Sequence, residues 1–257
     1  ATTEIYTLSL PDALPIFMGL VVTTAGAVLG GDDPLSESLQ TDLAVLEARC
    51  GHATERERAH AGAVATLVDG NFTAAAARWE AIGASHPHDV VATKMAHDIY
   101  LHVGDDARRL QASTAVIGRL RVGDPGYGVA AGQHAFALEE VGHYEEAERF
   151  GRLALEVDSV AIWALHALAH VYAMQGRHLE AVEHLRSTRA DWEERDHLAL
   201  HLLWHLSLRL IAAGEFDECL AIFHEQIDDA DRAFGLTDLT SMLWRLELAG
   251  CDVMDLW

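Results

Sequence analysis

The chain has little that would interrupt a helix and little positive charge. Its five prolines all lie at or before Pro125, so nothing in the second half removes a backbone donor from a helix interior. Alternating apolar and polar runs of the kind strands need are missing, and helix is expected almost throughout. Lys and Arg number 18 against 40 Asp and Glu, with no basic stripe, which argues against nucleic acid and anionic membrane surfaces as partners. Three cysteines (Cys50, Cys219, Cys251) are odd in number and stand in no metal-type spacing, so a reducing cytoplasm is the simplest setting and Cys219 reads as a packed core residue. The apolar run from Phe17 to Gly30 is 14 residues, too short to span a bilayer, and no Lys or Arg precedes it as in a signal peptide. No phosphate loop, dinucleotide glycine motif or nucleophile elbow occurs, so nothing supports a nucleotide or flavin cofactor.

What the chain does have is a period. Gly70, Gly104, Gly142, Gly176, Gly214 and Gly250 each close an apolar helix, at spacings of 34, 38, 34, 38 and 36 residues. Ala161 to Thr188 shows the unit: Leu165, Leu168 and Tyr172 form one helical stripe, Gly176 breaks the chain, and Leu179, Val182 and Leu185 begin a second. An earlier pair is expected between Phe17 and Arg49, turning at Gly30 and Gly31. The fold class is therefore all-α, a right-handed solenoid of tetratricopeptide-type helical hairpins over residues 17–257, open at both ends. Residues 1–16 fall outside the pattern; YTLSLPDALPI resembles a translated sequencing-adapter read, with Pro11 where that peptide has His, and is set aside as non-native.

Gly70-Asn71-Phe72, Ala75, Trp79, Ile82 and Pro87 match the turn, small, aromatic and closing-proline positions of the tetratricopeptide motif. In the Gly104 repeat the small position falls on Arg109, which departs from the motif. Further segments are Arg56 to His60, His97 to Tyr100, Pro125 to Gly128, Ala135 to Glu140, His166 to Val171, His201 to His205 and Ser241 to Leu246. Together they resemble the tetratricopeptide repeat protein 38 family, from about Phe17 onward. The resemblance implies a helical-repeat protein with further repeats beyond this chain.

Sixteen histidines are present, and their positions matter more than their number. In tetratricopeptide repeats, alternate positions of each first helix line a concave groove. Here those positions hold His60, Lys94, Asp98, Glu139, Glu140, His166, His170, His201 and Trp204, and polar groups there are costly unless they meet water, a ligand or one another. His166 and His170 lie four apart on one helix face, and His201 sits on the first helix of the next hairpin, so three imidazoles are placed to converge on a divalent metal. The spacing lacks the glutamate of HExxH. Three readings follow: a groove that binds a small molecule or peptide, an enzyme using the same histidines with a metal or as general acid and base, and a protein-interaction scaffold. His97 and His134 are expected in the core, His205 as a support for its neighbours, and His184 and His197 in solvent.

Overall fold

The computed structural model describes residues 14–193, 198–229 and 235–257. Among these residues it is helical, with three short 3-10 turns and no strand. The helices group into two compact units divided between Gly126 and Tyr127. The expectation for residues 1–16 lies largely outside the described residues, as does that for His197; helix α1 begins at Leu14.

In the first unit α1 (Leu14–Leu29) pairs with α2 (Glu37–Arg49), α3 (Glu55–Val68) with α4 (Phe72–Ser85), and α5 (Val90–Val103) with α6 (Asp106–Ile117). Thr54 starts α3 with a reciprocal capping box to Glu57, and the side chains of Asn71, Asp89 and Asp105 cap the helices that follow them. The core runs through Leu39, Leu46, Leu67, Trp79, Ile99 and Tyr100, all at or below 2% exposure. Arg109 does not break its hairpin: α6 forms, and the fully buried guanidinium bonds Asp106 at 2.8 Å.

In the second unit α7 (Tyr127–Glu140) and α8 (Tyr144–Val157) form one hairpin, and α9 (Ile162–Met174) and α10 (His178–Trp192) the next. After them come α11 (Ala199–Ala213), α12 (Phe216–Gln226) and α13 (Gly235–Leu248). Past Gly250, where the hairpin period predicts a second helix, the chain makes a 3-10 turn at Met254–Leu256. Leu185, Trp192, Leu202, Phe223 and Met242 fill the core of this unit, and Cys219 is buried among them as expected, its thiol pushed up to about 11 by burial.

The six period-setting glycines all have φ between 70° and 92°, the left-handed region that a side chain makes costly. At Gly142, for example, the Gly142 N–H bonds the Glu139 carbonyl at 2.8 Å and the His143 N–H bonds that of Leu138 at 2.9 Å, a Schellman closure that reverses the chain in two residues. A short, repeated turn gives every hairpin the same geometry, and this aligns the first helices. Their contact is close: a Cβ on Gly132 of α7 would lie 2.9 Å from the Ala164 backbone nitrogen of α9. Because backbone cannot yield as a side chain can, Gly132→Ala is expected to destabilise the protein by about 1–3 kcal/mol. The check is a urea melt, in which the midpoint should fall with the slope unchanged.

Candidate functional site

In the second unit four successive first helices, α7, α9, α11 and α13, bring their polar residues to one place. His166 and His170 come from α9, His201 and His205 from α11; each pair is spaced i, i+4, and the second repeats the first 35 residues later. The four rings stand edge to face or tilted, with centroids 4.4 to 5.1 Å apart between His166 and each of the other three. Nε2 of His205 is the hub, at 3.0 Å from Nε2 of His166 and 3.1 Å from Nε2 of both His170 and His201.

Carboxylates stand behind the rings. Asp238 of α13 takes a hydrogen bond from Nδ1 of His201 at 2.9 Å, and Glu139 of α7 takes one from Nδ1 of His170 at 3.1 Å, with Glu140 at 3.8 Å from the same nitrogen. An ionised carboxylate has no proton to give, so each of these rings carries a hydrogen on Nδ1 and turns its Nε2 toward the hub, where the neutral ring presents a lone pair. Burial, together with His170, His201 and Arg209 nearby, holds the His205 ring well below the usual 6.5.

Apolar and aromatic surfaces frame the cluster. Phe136 and Trp163 pack on His166, and Trp204 stacks on His201 at 4.9 Å while donating its indole N–H to Ser241. His166 and His205 are buried, whereas the side chains of His170 and His201 keep 24% and 17% of their surface open. The site is thus deep on one side and reachable on the other.

The structure therefore gathers Glu139, Glu140, His166, His170, His201 and Trp204, and it adds three residues the sequence reading had not weighted this way. His205, taken as a support, is the hub; Asp238 and Ser241 had no signal before α13 was placed. The ring atoms lying within 4.8 Å of one another as one metal-sized set are those of His166, His201 and His205, with His205 in the place the sequence reading gave to His170. His170 instead faces Glu139 and Glu140 through its other nitrogen. The 35-residue echo of His166 and His170 in His201 and His205 is a sequence signal that would have pointed to the hub.

The remaining candidates lie in the first unit and do different work. His60 is fully buried: it accepts the Trp79 indole N–H on Nδ1 at 3.0 Å and donates from Nε2 to Asp89 at 2.9 Å, which leaves neither ring nitrogen for a ligand. Asp98 pairs with Lys94 at 2.5 Å along α5. His97 and His134 are buried, as expected. His184, expected in solvent, packs edge-on against Tyr172, and burial lowers it to about 4.

No family model matches the chain. Among solved structures it is similar to a tetratricopeptide repeat protein from Parabacteroides merdae ATCC 43184, with 14% identity, a TM-score of 0.54, and coverage of 92% of this chain and 94% of that one. It is also similar to TTC0263, a thermophilic tetratricopeptide-repeat protein of Thermus thermophilus, with 20% identity, a TM-score of 0.54, and coverage of 74% and 99%. The chain thus has the tetratricopeptide-repeat fold, an all-helical repeat solenoid. No helix of the described residues is long and apolar enough to cross a membrane.

The His60 clamp has a consequence for acid stability. Burial alone would raise Asp89, but hydrogen bonds from His60 and the Ala92 amide, with the charge of Arg56, lower it from 3.8 to about 2. The folded state thus holds its proton more weakly than the unfolded chain. The stabilisation is complete above pH 4 and disappears as the pH falls toward 2, amounting to about 2 kcal/mol. Asp89→Asn should destabilise at pH 7 by about that much and flatten the stability profile between pH 4 and 2; an unchanged profile in urea melts would contradict the clamp.

Proposed function

We propose that the protein is a helical-repeat binding protein of the tetratricopeptide repeat protein 38 type, acting in the cytoplasm. Its site is the histidine–carboxylate cluster of the second unit, and its ligand is a small molecule or peptide end carrying a cationic group. The observation that carries this reading is the cluster itself: four imidazoles and three carboxylates converge from four helices, at positions where apolar residues would satisfy packing alone. Gathering polar groups this way costs desolvation, which a ligand offsets. Three carboxylates, Glu139, Glu140 and Asp238, outnumber the two guanidiniums nearby, Arg209 and Arg245, so the charge favours a cation. Both family-like segments His166 to Val171 and His201 to His205 supply the rings, which ties the resemblance to the site. The three cysteines are free, in keeping with a reducing compartment.

A scaffold reading has one observation of its own. Leu236, Trp244 and Leu248 form an exposed stripe along α13, at 68%, 61% and 75% exposure, of the kind that docks a partner helix. The cluster lies on the other residues of that helix, through Asp238 and Ser241, so the two surfaces are separable by mutation.

The test is a thermal-shift panel of primary amines and peptides with free N-termini, run on metal-stripped protein. At least one member should raise Tm, and Glu140→Gln combined with His170→Ala should abolish the rise while the unliganded variant still melts cooperatively. A panel with no hits, or hits that persist in the double variant, would remove the binding reading.

A further inference from the structure

We propose that the histidine cluster of the second unit is a transition-metal centre, with Nε2 of His166, His201 and His205 as its three protein ligands. This deepens the binding reading above and rests on it for the location of the site.

A ring nitrogen offers one in-plane position, either a lone pair or an N–H, and so makes one good hydrogen bond. Nε2 of His205 has three nitrogen neighbours at 3.0, 3.1 and 3.1 Å. Two of those neighbours, on His201 and His170, have their Nδ1 hydrogens held by Asp238 and Glu139, so in the neutral rings their Nε2 atoms present lone pairs. With the rings neutral, one proton on His205 reaches at most one of these lone pairs, whereas a metal ion accepts several at once. Nitrogen lone pairs aimed at one point are the requirement for binding a cation that accepts electron pairs.

The spacing agrees. With metal–nitrogen bonds of about 2.0–2.1 Å, neighbouring ligand nitrogens stand about 3.0 Å apart in octahedral geometry and about 3.3 Å apart in tetrahedral geometry. The observed 3.0 and 3.1 Å from His205 to His166 and His201 fall within that range. Imidazole ligands suit zinc, copper, nickel and ferrous iron, and exclude magnesium and calcium, which take oxygen. Asp238 on Nδ1 of His201 is the carboxylate that orients a metal-bound imidazole and raises its basicity.

Three protein ligands leave a further position for water or a ligand atom. His170 stands beside it: its Nε2 is 3.1 Å from that of His205, while its Nδ1 is held by Glu139. The side chains of His170 and His201 are also the ones that reach solvent, so the open position faces outward. His170 is assigned as a neighbour of the metal and not as a ligand, because its Nδ1 joins Glu139 and Glu140 in a separate group.

The experiment uses the whole chain, stripped with a chelator and titrated with zinc by calorimetry and with cobalt(II) by visible absorption. One zinc should bind per chain, and cobalt should give the d–d bands of a site with nitrogen ligands. His201→Ala and His205→Ala should each lower zinc affinity by at least a hundredfold, Asp238→Asn by tenfold to a hundredfold, and His170→Ala by less than tenfold. Helical circular dichroism keeps misfolded variants from being counted, and Asp238→Asn, which changes no volume, keeps the test open if His205→Ala does not fold. Absence of stoichiometric zinc and cobalt binding would overturn the proposal, as would binding indifferent to His201 and His205. A loss in His170→Ala equal to that in His205→Ala would overturn the three-ligand assignment. Amine or peptide hits on a protein that takes no metal would sink the metal centre and leave the binding reading standing.

Discussion

Register between successive first helices is the constraint on which the second unit depends. Each hairpin reverses at a glycine held at positive φ, so the chain returns to an equivalent place after about 35 residues, and a residue on one first helix comes beside its counterpart on the next. Close approach at Gly132 and Ala164 keeps α7 against α9. Under that constraint a histidine pair spaced i, i+4 on α9 meets an identical pair on α11, and side-chain chemistry that is scattered in sequence becomes a single cluster. The carboxylates obey the same rule from the helices on either side, Glu139 from α7 and Asp238 from α13.

The two units use histidine in opposite ways, and hydrogen bonding decides which. His60 is saturated by Trp79 on one nitrogen and Asp89 on the other, so it acts as a buried clamp between α3, α4 and the start of α5. In the second unit the carboxylates take only the outer nitrogen of His170 and of His201. The inner nitrogens face one another across the cluster, whereas His60 is a structural joint. The same residue type at the same nominal repeat position therefore divides into a saturated joint and a convergent cluster according to what waits on its second nitrogen.

Much of the fold was legible in the sequence because glycine carries a conformational meaning that few residues share; the period of Gly70 through Gly250 marks every hairpin described after α2. The candidate site was legible in part. His166, His170 and His201 announce themselves through spacing, and Glu139 through its groove position. His205 was underweighted because an alternate-position rule for groove residues puts it one step aside, whereas an i, i+4 side chain on the same face reaches back to its partner. Asp238 and Ser241 could not be read at all, since their role depends on how α13 lies against α11. His60 was over-read: nothing in sequence shows that Trp79 and Asp89 would claim both of its nitrogens.

The central claim is that carboxylates fix the cluster's tautomers so that Nε2 lone pairs point inward. Long-range proton–nitrogen correlation spectra of the imidazoles in metal-free protein test it most directly. The account predicts His170 and His201 as the Nδ1–H tautomer and His60 as the Nε2–H tautomer. Finding His170 and His201 as the ordinary solvent mixture, or with the hydrogen on Nε2, would contradict it.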